Sequence, residues 1–145
     1  MSSTIHRQVE RLRAGNDPAL VARMASGWAV MGEAQFLKGY CLLLPDPVVP
    51  NLNALAHETR LAFLADMAAL GDAVLAATGA IRINYAIFGN VDPALHAHVI
   101  PRYAEEPPET RSSHPWMFDW NKAPRFDPQA QAPLVAAIRA RLAKS

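Results

Sequence analysis

Apolar residues recur at helical spacing in three stretches of the chain. Ile5, Val9 and Leu12 mark a short amphipathic helix that Gly15 closes. Leu61, Leu64, Met67, Ala68, Leu70, Val74 and Leu75 mark the longest helix, predicted from about residue 55 to 78, with Gly79 as its stop. Leu134, Val135, Ile138 and Leu142 share one face of a last helix that Asp127-Pro128 opens. Asp17-Pro18 predicts one more, about residues 18 to 25, by offering an N-cap followed by a first-turn proline. Four other apolar runs have strand length: "WAVMG" (28–32), "GYCLLLP" (39–45), "IRINYAIF" (81–88) and "LHAHVIPRY" (95–103). The first two, joined by the polar "EAQFLK" and ended by the Pro-rich "PDPVVP", form one antiparallel pair. The last two pair across the turn "GNVDP". Two antiparallel pairs around one long helix argue for an α+β fold with helices on one face of the sheet. The other face is then free for a site or a partner.

After Tyr103 the pattern breaks. "AEEPPETRSS" is acidic and Pro-rich and reads as an exposed loop, and "HPWMFDW" places Trp116, Phe118 and Trp120 at alternate positions. A strand there would put all three rings on one face. They would serve either as a packing or interface cluster or as a platform for a base.

The 145 residues suit a single domain, 1–145. With 51% apolar and 19% charged residues, the chain has the balance of a folded globular protein. A net charge of +1 lacks the basic excess that binds nucleic-acid polymers, but local positive charge can still hold a small anion. "MSSTIHRQVERLRAGNDP" has no apolar core of signal-peptide type, and no run reaches the roughly 18 consecutive apolar residues that span a bilayer. The expectation is a cytoplasmic protein with no membrane partner. The lone Cys41 has no internal disulfide partner and reads as a small buried apolar residue.

The chemistry concentrates in "PALHAHVIPRY", residues 93 to 103. On a strand, His96 and His98 share a face with Ala94, while Leu95, Ala97 and Val99 point the other way. Three readings fit such a pair. It can be two half-exposed polar residues on a solvated face. It can be half of a metal site, which needs at least one further ligand, with only His114, Asp119 and the acidic loop near in sequence. Or it can be a nucleophile and its partner.

The surrounding residues bear on the choice. "YAIFGNVDPALHAHVIPRY" resembles the active-site strand of the histidine-triad family of nucleotide hydrolases and transferases, whose motif is His-φ-His-φ-His-φ-φ. The resemblance runs through Gly89-Asn90, Pro93, Leu95, His96, His98, Val99, Ile100 and Pro101-Arg102-Tyr103. Upstream, "FLKGYCLLLPDPVVPNLNAL" is similar to the family's strand that ends in a proline and feeds its long helix. The likeness covers roughly residues 28 to 103 and leaves the tail, 104–145, outside it.

That resemblance implies a histidine-triad-like sheet of about five antiparallel strands with one long helix, a two-fold homodimer and a small-molecule nucleotide as ligand. It implies no cofactor and no metal at the histidines. His96 takes the nucleophile's place and would attack the α-phosphorus of a nucleoside phosphoramidate or a dinucleoside polyphosphate. His98 would donate to phosphate oxygens. Asn90 stands where a polar side chain reaches the phosphate or leaving group, although turn chemistry after Gly89 accounts for it equally. Arg102 shares the histidines' parity and either adds positive charge or is an exposed edge arginine. Glu33 sits near the residue that holds the ribose.

Ala94 occupies the position of the family's first histidine. Its carbonyl can still hold the nucleophile's second ring nitrogen, and only the side-chain contact near the leaving group is lost. One hydrogen bond to charge is worth roughly 1.5–3 kcal/mol, about ten- to hundredfold in rate. A histidine restored at 94 is expected to point at the leaving group. The alternative is a nucleotide-binding or regulatory module that kept the fold and lost turnover, and Ala94 is the feature that favours it.

Overall fold

Ser3 opens the first helix, α1 (Thr4–Arg13): its hydroxyl accepts the His6 N–H while the His6 ring accepts the Ser3 N–H. Ile5, Val9 and Leu12 are the buried stripe of that helix, as their spacing predicts. The computed structural model describes residues 3–144.

The segment read as a second helix is instead a strand, β1 (Leu20–Met24). Asp17 does cap locally, its Oδ1 accepting the Ala19 N–H. The chain then turns extended, buries Val21 completely and pairs antiparallel with β2 (Gly27–Met31). A ladder of backbone hydrogen bonds with an adjacent strand outweighs the weak local preference for helix.

β3 (Cys41–Pro45), β4 (Arg82–Ala86) and β5 (Ala97–Arg102) complete a five-stranded antiparallel sheet in the order β1-β2-β3-β5-β4. Both expected hairpin-like pairs, β2 with β3 and β4 with β5, are present. They are joined in the middle by Cys41 against Val99, Leu42 against His98 and Leu43 against Ala97.

Alternation along these strands builds two unlike faces. Ala29, Met31, Cys41, Leu43, Ala97 and Val99 pack beneath the long helix α2 (His57–Thr78) and the last helix α4 (Ala132–Ala143). Burial pushes the Cys41 thiol up to about 12, which suits its role as an apolar filler. On the opposite face Val30, Leu44 and Ala94 are covered by Ile5, Val9 and Leu12 of α1. Helices therefore lie on both faces, not one. The short α1 covers only one end of its face and leaves the rest to the site.

By length and composition α2 is long and apolar enough to span a bilayer, with a mean hydropathy of 1.6 over 18 residues. Asp66 and Asp72 interrupt its apolar run. It packs Phe63, Leu70, Ala73 and Val74 into the core, and Asp66 accepts both the N–H and the hydroxyl of Ser26. Leu61 and Ala68, which the spacing placed in the packed stripe, are exposed. A helix apolar on most sides does not announce through its spacing which side it buries.

Candidate active site

β5 begins at Ala97, so His96 lies one residue before the ladder and His98 within it. The expected alternation holds: Leu95, Ala97 and Val99 enter the core beneath α2, while the side chains of Ala94 and His98 lie on the other face. His96 Nδ1 is 2.7 Å from the Ala94 carbonyl oxygen. A carbonyl only accepts, so Nδ1 carries the proton and donates, and the Nε2 lone pair is open to the cleft. The centroids of the His96 and His98 rings lie 5.0 Å apart.

Four of the residues named from the sequence, His96, His98, Asn90 and Glu33, line one cleft of about 1150 Å³. Thr4, Ile5 and Gln8 of α1 form one wall, and Phe88, Trp116 and Trp120 another. Asn90 is exposed in the turn after Gly89, whose φ of +76° suits a residue without Cβ. Glu33 is exposed at the rim, its Oε1 3.8 Å from the Arg125 guanidinium.

Arg102 is the exception, neither an exposed edge arginine nor a lining residue of the cleft. It is buried, and its five N–H donors are all engaged. Nε and Nη2 grip both Glu106 oxygens at 3.0 and 2.8 Å. Nη1 reaches Asn84 Oδ1 at 2.9 Å and the Ser113 carbonyl at 2.7 Å, and Nη2 also reaches the Thr110 carbonyl at 2.8 Å. The acidic segment read as an exposed loop thus carries a buried Glu106 and a short helix, α3 (Pro108–Arg111), both tied to Arg102. Burial alone would push the Glu106 carboxyl up; the Arg102 guanidinium and the Tyr103 N–H outweigh it and hold it below its ordinary value.

This clamp aims the aromatic tail. Residues 115–117 and 120–122 form single 3₁₀ turns, not a strand, so the three rings do not line up on one strand face. Phe118 lies against Phe36 and under the Arg102 guanidinium. Trp116 stands 4.9 Å from His98 and 4.7 Å from Phe88, centroid to centroid, and Trp120 lies 5.2 Å further on. The tail supplies both a packing cluster and a wall of the cleft.

Ala94 is 1% exposed beneath α1. A histidine here would have to displace Ile5, Val9 and Leu12 of α1, which share its buried cluster, before it could reach a leaving group. Ala94→His is expected to destabilise by about 1–3 kcal/mol through overpacking, with no gain in hydrolysis. Urea unfolding of the variant and its initial rates on a nucleotide ester check both halves.

The sequence reading passed over Tyr40, whose hydroxyl lies 2.7 Å from His98 Nδ1. A usable signal was present: a tyrosine leading into an apolar strand needs a partner for its hydroxyl once it is buried. Burial first, and the neighbouring His96 second, push His98 from 6.5 down to about 4. Its folded value lies below its unfolded one, so between pH 6.5 and 4 the unfolded chain binds the extra proton. This contribution is whole above about pH 6.5 and is lost as the pH falls toward 4. Urea midpoints measured across that window are expected to drop in the wild type and to drop less in His98→Gln.

Among the described residues, no three His, Cys, Asp or Glu side chains gather where they could share a metal ion. No protein-family model matches the chain, and no curated protein matches it in sequence. Solved structures do match in three dimensions. A histidine triad protein from Sinorhizobium meliloti superposes with a TM-score of 0.76 at 20% identity, covering 97% of both chains. A hypothetical histidine triad nucleotide-binding protein from Sulfolobus tokodaii gives 0.73 at 16% identity, over 94% of this chain and 91% of that one. A zinc-bound histidine triad family protein from Mycobacterium smegmatis gives 0.61 at 23% identity, over 92% and 90%. The five-stranded antiparallel sheet with its long helix is the fold that this chain shares with them.

Proposed function

On the histidine-triad fold that this chain adopts, we propose a nucleotide hydrolase or nucleotidyl transferase in which His96 is the nucleophile. The carrying observation is the 2.7 Å contact from His96 Nδ1 to the Ala94 carbonyl, which leaves Nε2 as the free lone pair in the cleft. Nε2 attacks the α-phosphorus of a nucleoside phosphoramidate or dinucleoside polyphosphate. The P–N bond to His96 forms as the bond to the leaving amine or phosphate breaks. Water then attacks the same phosphorus, releases the mononucleotide and returns the imidazole. His98 donates to the phosphate oxygens as charge develops there. Asn90 reaches the phosphate or leaving group, and Glu33, on the rim, meets the ribose hydroxyls.

The nucleotide as ligand rests on the fold and on the Sulfolobus protein, described as nucleotide-binding. The histidines work here without a metal, although the mycobacterial relative in fold is zinc-bound. A two-fold homodimer is part of this reading. The free edge of β4 and the exposed Leu61, Ile81 and Tyr85 give a second copy a strand and apolar surface to cover.

The test is a panel of nucleoside phosphoramidates and dinucleoside polyphosphates, read by mononucleotide release. Turnover of any member supports the proposal. Nucleotide binding without turnover would establish the binding module instead. That second reading draws its support from Ala94, which shares a buried cluster with Ile5, Val9 and Leu12 of α1.

A further inference from the structure

Tyr40 belongs to neither the nucleophile nor the cleft lining, yet the chain invests several contacts in placing it. The residue is 3% exposed, and its ring lies nearly parallel to His98, centroids 5.9 Å apart. Phe36 and Trp120 meet it edge-on at 5.4 and 5.5 Å. Behind it, a Cβ on Gly32 would come within 2.2 Å of the ring, so only glycine leaves it room. The loop that carries it is laced by buried Gln35, whose amide donates to the Gly32 and Tyr40 carbonyls and accepts from the Gly39 N–H. The hydroxyl is therefore delivered to one spot, Nδ1 of His98.

We propose that Tyr40 is a positioning residue: its hydroxyl donates to Nδ1 of His98 and holds that imidazole in the tautomer with its proton on Nε2, toward the cleft. The alternative tautomer has Nδ1 donating to the phenol oxygen. It leaves the phenol's own proton in a wall of aromatic rings and turns a lone pair toward the site where phosphate oxygens would sit. Both penalties vanish when the phenol donates. Burial favours the same arrangement by keeping Tyr40 protonated and His98 neutral. A neutral imidazole has one donor to spend, and Tyr40 determines that it is spent on the ligand. His98 then stabilises charge on the phosphoryl oxygens as a preset N–H dipole, without first acquiring a proton.

The kinetic part of this assignment rests on the hydrolase reading; the tautomer part does not. In protein labelled with ¹⁵N at histidine, long-range proton–nitrogen NMR at pH 7 is expected to show neutral His98 protonated at Nε2. Tyr40→Phe keeps the ring and its contacts with Phe36 and Trp120, and in it the Nδ1-protonated form should appear alongside. With a substrate from the panel, Tyr40→Phe should lower kcat by roughly tenfold and move KM less than twofold. A wild-type His98 protonated at Nδ1, or a Tyr40→Phe spectrum identical to wild type, overturns the assignment. A tautomer shift with unchanged kcat overturns its catalytic part. Failure of the whole substrate panel would bring down the hydrolase reading and leave the spectrum to decide on Tyr40.

Discussion

His96→Ala is expected to abolish nucleotidyl hydrolysis, by at least about a thousandfold, while the protein stays folded. The size follows from what is removed. Other groups in the cleft, His98 and Asn90 among them, can orient a substrate and stabilise charge, but only His96 has its Nδ1 proton committed to a carbonyl and its Nε2 lone pair free. Removing the nucleophile of a covalent mechanism leaves only the weak acceleration that binding and polarisation supply. Folding should be spared because His96 is only partly buried and lies outside the strand ladder. Rates on the best substrate of the panel, with a thermal melt as control, decide it. Activity within tenfold of wild type would rule out His96 as nucleophile.

Arg102→Met is expected to cost about 3–5 kcal/mol, the largest stability loss of any change considered. The substitution leaves the Glu106 carboxylate buried without its guanidinium and strips donors from Asn84 and from the carbonyls of Thr110 and Ser113. The melting temperature should fall by roughly 6–20 °C for a chain of this size. Adding Glu106→Gln removes the stranded charge, so the double variant should recover part of the loss. Two single losses that simply add would contradict the clamp. Because the same arginine holds the segment that carries Trp116 and Trp120, Arg102→Met should also blunt nucleotide binding at temperatures where it is still folded.

Much of this was legible from local pattern. The alternation of residues 94 to 99 assigned each side chain its face, while the Ala94 carbonyl beside His96 was implied by the resemblance to the histidine-triad strand. The two strand pairs followed from short apolar runs bounded by turn residues. β1 was misread because an N-cap and a proline are local signals, whereas its strand state comes from pairing with β2. Arg102 was misread because parity gives a face but not a neighbour; apart from Asn84 and Phe118, the groups it holds come from residues 106 to 113, which carry no strand or helix signature of their own.

By itself, then, the sequence determined what depends on neighbours along the chain: helix and strand periods, the stop at Gly79, and two histidines on one face. The tertiary structure decided what depends on neighbours across space. It laid α1 over position 94 and so gave a reason for the missing histidine. It drew Arg102 into a buried clamp instead of the cleft, and it brought Tyr40, 58 residues away, to the back of His98. Periodicity records which face a side chain takes. Which group then meets it is settled by how loops and helices with little periodicity pack, because burial charges every polar atom for the partner it lacks.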